Sequence, residues 1–224
     1  MKRLIVILLL VILLVYLYTV YKQYYPTRTI FSFGELKDER IQLRYIADLL
    51  SSEECTHLIE NAKSGLKRSM VVANKDDHYD NNRTSHSFYF KKSQDNVIRS
   101  IEEKVSKMLD VPIENIEALQ VVRYEDGQQF NEHYDWFHTE YRDRKNNQRR
   151  YTFFVYLNDV ENEGETSFPK LDLSFKPKKG HALFWENCSS FYDCHSLSLH
   201  KGKPPKGETK YGLNIWINFN KASY

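Results

Sequence analysis

Hydrophobic positions fall into three regimes along the chain. The first is an uninterrupted run, residues 4–20 (LIVILLLVILLVYLYTV), apolar on every face and without charge. As a helix rising about 1.5 Å per residue it spans roughly 25 Å, close to the thickness of a hydrocarbon core. Tyr16, Tyr18 and Tyr21 stand where interfacial aromatics belong. A cleaved signal peptide would have a shorter apolar stretch followed by small residues. The segment is therefore read as an uncleaved transmembrane signal anchor over residues 1–21. Lys2 and Arg3 ahead of it predict a single-pass type II orientation, with the folded part lumenal in the endoplasmic reticulum or secretory pathway. Lys22 and Arg28 oppose that bias. The sequons at Asn82 and Asn187 are compatible with it.

The second regime has helical spacing. After a polar stalk over residues 22–40, Ser51-x-x-Glu54 has the form of a capping box. It predicts a helix toward Ser64 that buries Cys55, Leu58 and Ile59. Val97, Ile98, Ile101, Val105 and Met108 predict a second helix. Between them, residues 74–83 are rich in Asp, Asn and Lys and read as a loop. In the third regime the period becomes two. Residues 118–124, 151–157, 181–185 and 213–219 are short β-branched or aromatic runs, separated by turn-forming stretches. The charged segment 138–150 (HTEYRDRKNNQRR) reads as an exposed loop. The expected fold is α+β: a supporting region of helices and strands over residues 41–115, then a β-sandwich or jelly roll over 116–220.

Composition adds limits. The 224 residues suit one domain plus an appendage, and 41% apolar with 14% aromatic content is enough for a core. A net charge of +2, with acids and bases nearly balanced, gives no field directed at nucleic acid. Three cysteines are too few for a disulfide scaffold; a local Cys188–Cys194 bridge and three free thiols both remain open.

Candidate chemistry gathers at His133-Tyr134-Asp135. In an extended chain residues i and i+2 share a face, so His133 and Asp135 can aim at one point. His200, at the end of the extended-looking run 196–199, is the best third donor. Two histidines and one carboxylate leave open positions on an octahedral metal, the arrangement associated with non-haem Fe(II) oxygenases. His138, His181 and His195 read as surface or satisfied core histidines. H-x-D spacing alone is a weak signal.

The segment from His200 through Lys210 to Trp216 strengthens it. A histidine heading an H-x-G-x-P run, a lysine ten positions on and a tryptophan beyond resemble the prolyl 4-hydroxylase branch of the 2-oxoglutarate dioxygenases. Val121 to Asp135, Tyr151 to Val160, Gly164 to Pro169 and Arg83-Thr84-Ser85 are similar to other family segments, in order. The chain departs from the pattern at Lys203, Pro205, Gly207, Tyr211 and Glu163, none of them a proposed ligand. The resemblance implies a double-stranded β-helix (jelly-roll) core and a reaction in which Fe(II), O2 and 2-oxoglutarate, with ascorbate as reductant, hydroxylate proline in a peptide, collagen-like repeats among them. Succinate and CO2 are released. It assigns His133, Asp135 and His200 to iron, Lys210 to the far carboxylate of 2-oxoglutarate, Tyr124 and Thr166 to hydrogen bonds with that cosubstrate, and Arg83, Ser85 and Trp216 to the substrate. An oxygenase acting on another residue or a small molecule, and a non-catalytic membrane-tethered binding module, are the competing readings.

Overall fold

The computed structural model describes residues 9–18, 31–71 and 78–222. Residues 9–18 are helical (α1), and their ten large apolar side chains are 49–64% exposed. Residues 1–8 and 19–21 of the expected anchor lie outside the described residues. Among the described residues no helix is long and apolar enough to cross a membrane. The segment 72–77, which covers part of the expected 74–83 loop, also lies outside.

Strands β1 (Glu35–Asp38) and β2 (Leu43–Ile46) come first, then helix α2 (Ser52–Lys63). Ser51 caps α2 as predicted: its hydroxyl accepts the Glu54 N–H at 3.1 Å, and Glu54 accepts the Ser51 N–H at 2.8 Å. β3 (Lys67–Arg68), β4 (His86–Tyr89) and α3 (Asn96–Leu109) follow. Asp95 caps α3 by accepting the Val97 and Ile98 N–H groups. The remaining elements are β5 (Gln120–Tyr124), β6 (Phe130–His133), α4 (Thr139–Lys145), β7 (Arg149–Tyr156), β8 (Thr166–Phe168), β9 (Leu173–Phe175), β10 (Ala182–Glu186), β11 (His200–Gly202) and β12 (Lys210–Asn218).

Eight strands form one sheet in the order β1-β2-β10-β7-β12-β5-β4-β3, and four form a second in the order β6-β11-β8-β9. Every named pair is antiparallel. Alternation on the central strands separates two cores. Val121, Phe153, Val155, Phe184, Leu213 and Ile215 pack with α2 and α3 on one face. Val122, Tyr124, Phe154, Tyr156, Leu183 and Trp185 pack with Phe168 and Phe175 of the smaller sheet on the other. The result is a helical layer, a large sheet and a small sheet, the two-sheet arrangement expected of a jelly roll.

Several sequence expectations change. The fold begins before residue 41: Phe31 is buried against Tyr151 and Phe184, and β1 lies within the expected stalk. Within the supporting region 41–115, β2, β3 and β4 join the same sheet as the later strands. The charged segment 138–150 contains α4 and the start of β7, and Arg142, Asn147 and Gln148 in it are buried. Their polar groups are satisfied internally. The Gln148 side chain accepts the Phe137 N–H at 2.6 Å and donates to the Phe137 carbonyl at 2.9 Å, and the Arg142 guanidinium covers the Tyr192 ring. Residues 196–198 form a 3-10 turn rather than an extended run. Cys188 and Cys194 are bridged, and Cys55 is a buried free thiol.

Gly212 shows how tightly the central strands pack against the interior. A Cβ there would lie 2.4 Å from Cζ of Phe154. Gly212→Ala is expected to cost about 1–3 kcal/mol through overpacking, which for a chain of this size lowers the melting temperature by roughly 2–4 °C per kcal/mol. Thermal denaturation of the purified variant checks this.

Candidate metal and ligand site

The short pair β6–β11 sets His200 directly opposite His133. Asp135 follows two residues after His133 and returns to the same side. The His133 Nε2–Asp135 Oδ1 and His200 Nε2–Asp135 Oδ2 distances are both 3.8 Å. The three ligand atoms lie within 4.8 Å of one another. Each ring has its other nitrogen tied to a backbone carbonyl two residues back: His133 Nδ1 donates to Asn131 O at 2.7 Å and His200 Nδ1 to Ser198 O at 2.8 Å. Those bonds fix the tautomer and leave both Nε2 lone pairs free to converge. Thr152 Oγ1 donates to Asp135 Oδ2 at 2.8 Å and orients the carboxylate.

Electrostatics favour the metal-binding protonation states. Burial pushes the His133 imidazole well below its ordinary range, and the neighbouring His200 adds to this. Burial alone would raise Asp135, but His200, His133 and Arg149 hold it below the usual carboxylate range. A neutral imidazole and an ionised carboxylate are the forms a cation needs. Among the described residues no fourth His, Cys, Asp or Glu joins the group. Three donors on one face, with the remaining positions open, fit a non-haem Fe(II) site and not a closed structural zinc site.

Behind the triad lies a narrow inner pocket of about 30 Å³, lined in part by Tyr124, Phe154, Thr166, Trp185, Asn214 and Trp216. Lys210 is sealed beneath it. It pairs in register with Tyr124, is fully buried, and its Nζ has no hydrogen-bond partner. The Tyr124, Phe154 and Tyr156 ring centroids surround the ammonium at 5.3–5.6 Å. Desolvation lowers its pKa to about 7, with Glu165 opposing the shift. Thr166 Oγ1 is likewise buried without a partner. A buried cation and hydroxyl with nothing to bond are costly unless an anionic ligand completes them.

On the open side of the triad is a larger cleft of about 390 Å³. Arg83 lines it, donating to Met70 O at 2.9 Å and covering Phe130 at 4.7 Å. Phe130 stacks on the His133 ring at 3.4 Å. Trp216 borders both spaces, and its indole N–H is buried without a partner. The Arg149 guanidinium lies 3.6 Å from the Trp216 ring centroid, held by a bidentate pair with Glu117 at 2.7 Å. Ser85 is not at this surface: it is fully buried and its hydroxyl donates to Ser69 Oγ at 3.0 Å, so a ligand in the cleft does not reach it.

Sequence reasoning missed Thr152, Asn214, Phe130 and Arg149. Two of them carried a signal. Thr152 is a lone small polar residue within an aromatic and aliphatic strand, and Asn214 interrupts an equally apolar one. Both face the interior between the sheets, where a polar group needs a reason.

A family model for the 2OG-Fe(II) oxygenase superfamily matches residues 119–218. Among curated relatives, probable prolyl 4-hydroxylase 10 of Arabidopsis thaliana is 34% identical over 195 residues, covering 78% of this chain and 68% of that protein. Prolyl 4-hydroxylase 5 of the same plant is 33% identical, covering 78% and 67%. Among solved structures, the viral collagen prolyl hydroxylase of Paramecium bursaria Chlorella virus-1, in its 2OG complex, superposes with a TM-score of 0.65 at 32% identity, covering 79% of this chain and 95% of that one. A Trichoplax adhaerens prolyl hydroxylase, in complex with a peptide fragment of the hypoxia inducible factor oxygen degradation domain, shares the fold with a TM-score of 0.60 at 16% identity, covering 78% and 82%.

Thr152→Val removes the hydrogen bond to Asp135 while keeping the volume. Affinity for a divalent metal is expected to fall roughly 10–100-fold, measured by calorimetric titration of the metal-free protein.

Proposed function

The chain belongs to the prolyl 4-hydroxylase family of the 2OG-Fe(II) oxygenases, and from that premise we propose that it hydroxylates peptidyl proline at the 4 position, with His133, Asp135 and His200 holding Fe(II) and Lys210 receiving the far carboxylate of 2-oxoglutarate. The observation that carries this assignment is the pairing of an open three-ligand set with a buried, unpartnered ammonium set against the Tyr124 and Phe154 rings that line the same pocket. When bound, Fe(II) and 2-oxoglutarate supply the oxidising chemistry, in which O2 is consumed and hydroxylated proline, succinate and CO2 are released, with ascorbate as the supporting reductant.

The residues of this chain bind, orient and shelter. Nδ1 bonds and the Thr152 hydroxyl keep the ligand atoms converged before metal arrives, which reduces the reorganisation at loading. Lys210 selects an anion at the closed end of the pocket. Its charged form, disfavoured by burial, becomes favoured once a carboxylate lies against it. Tyr124 and Thr166 face the same space and offer hydroxyl groups to that carboxylate. The aromatic walls exclude water from the reacting centre. Arg83 and Trp216 belong to the peptide side, where the Trp216 N–H offers a donor to a peptide carbonyl. The viral relative is a collagen prolyl hydroxylase, and collagen-like repeats are the first substrate we assign.

A signal anchor is part of this reading. It is supported by the uncharged run 4–20, by the ten exposed apolar side chains of α1 and by Lys2 and Arg3 ahead of it. A lumenal catalytic domain fits the Cys188–Cys194 bridge, since disulfides persist in oxidising compartments.

Residues 31–224, supplied with Fe(II), ascorbate, 2-oxoglutarate and a proline-rich peptide, are expected to form succinate and add one oxygen atom to proline, as read by mass spectrometry. Absence of both products with collagen-like and other proline peptides would sink the assignment. His133→Ala should lose turnover; full retention would refute the ligand set.

Lys210→Met separates binding from stability. The variant should weaken 2-oxoglutarate roughly 10–100-fold, the worth of a charge-assisted contact. It should also raise the melting temperature of the ligand-free protein, because a buried ammonium without a partner is removed. The sign follows from the shift: a lysine lowered from 10.5 to about 7 is less readily charged folded than unfolded, so its burial opposes folding below pH 10.5.

A further inference from the structure

Asn187 follows β10 directly and is fully buried, with both backbone groups and both ends of its amide engaged. Its N–H donates to Arg150 O at 2.7 Å, and its carbonyl accepts the His195 N–H at 2.8 Å. Its side-chain oxygen accepts the Trp185 indole N–H at 2.8 Å. Its amide nitrogen donates to Thr152 Oγ1 at 2.8 Å, and Thr152 passes its own proton to Asp135 Oδ2. A lone hydroxyl rotates freely between partners. A donor fixed behind it leaves the hydroxyl proton only forward directions, and here forward is Asp135.

The loop that begins at Asn187 ends at His195 and is closed by the Cys188–Cys194 disulfide. From His195 the chain enters the 3-10 turn of residues 196–198. Ser198 donates both its N–H (3.1 Å) and its hydroxyl (2.7 Å) to the His195 carbonyl. The Ser198 carbonyl then takes the Nδ1 proton of His200. One nine-residue loop, Asn187 to His195, therefore ends in the supports of two metal ligands: Asp135 through Thr152 and Asn187, and His200 through Ser198 and His195.

We infer that Asn187 is a positioning residue for the metal ligands and that the Cys188–Cys194 disulfide is the clasp holding it in place, so that opening the disulfide weakens metal binding. This rests on the metal assignment given above. Opening by a phosphine in water turns the disulfide into two thiols and the phosphine into its oxide, so electrons and protons balance. The loop's two ends then keep the 187–195 backbone bond, with the Ser189–Asp193 and Ser190–Asp193 contacts across the loop.

The test is Co(II) titration of the full chain in detergent, followed by calorimetry and by the visible absorption of the bound ion, beside melting temperature as a measure of fold. Asn187→Ala and the isosteric Asn187→Asp should each weaken Co(II) about tenfold or more and alter the absorption band. The Cys188→Ala/Cys194→Ala protein, or native protein reduced with a phosphine, should lose affinity in the same direction. Combining Asn187→Ala with an open disulfide should cost less than the product of the two losses, since both act through one chain of bonds. A lowered melting temperature with unchanged Co(II) affinity and band would reduce the disulfide to a fold staple and overturn the inference. Native protein that binds no Co(II) would instead overturn the metal assignment itself, with native and variants then alike.

Discussion

Side-chain alternation across β5, β7 and β12 is the constraint on which the site depends. The strands lie side by side in a register that pairs Lys210 with Tyr124, Gly212 with both Val122 and Tyr156, and Trp216 with Thr152. Every second residue is committed to the helical core, and the residues between them face the small sheet. Tyr124, Thr152, Phe154, Lys210, Asn214 and Trp216 thus share one surface. Slipping β12 by one residue would drive Lys210 and Asn214 among Ile98, Ile101 and Val105 and turn Leu213 and Ile215 into the pocket, with large desolvation costs on one side and lost burial on the other. The apolar core therefore enforces the polar site.

The ligands themselves sit on the shorter, less extensive sheet, and their precision comes from being bound to the larger one. His133 and His200 face each other across only a few residues of pairing. Thr152 on β7 reaches across to Asp135, Phe130 and Trp185 press on the two imidazole rings, and Arg149 donates to the Asp135 carbonyl at 3.3 Å. The triad is accordingly a seam between sheets. Around it, Lys210 Nζ, Thr166 Oγ1 and Trp216 Nε1 are buried without a hydrogen-bond partner. Elsewhere buried polar groups such as Glu102 and Gln148 are bonded within the protein.

Much of this was legible in the residues, for reasons that differ from element to element. The capping box at Ser51 and Glu54 is local chemistry, and the helix followed. The spacing of His133 and Asp135 is also local, but it acquired meaning from His200 and Lys210, which are distant in sequence and joined only by strand pairing. Segment 138–150 was misjudged because charge count suggests solvent, whereas Arg142 lies on an aromatic ring and Gln148 replaces backbone partners for Phe137. A motif match carries no direction: Ser85 does not line the cleft that Arg83 lines, and its hydroxyl turns to Ser69. The role of Asn187 was hidden altogether, since a sequence does not show an amide two bonds removed from a metal ligand. Phe31 and β1 were taken as stalk because short polar stretches with few apolar residues do not reveal what they cover.

The isolation of Lys210 couples cosubstrate loading to the proton content of the solution. Burial lowers its pKa to about 7, so the ammonium there is charged less readily than a lysine in water. A dicarboxylate that demands the ammonium favours its protonated form and draws protons from the buffer as it enters. The heat of binding would therefore change with the ionisation enthalpy of the buffer. In a mildly acidic compartment the pocket would stand already charged, and the same cosubstrate would load without taking up a proton.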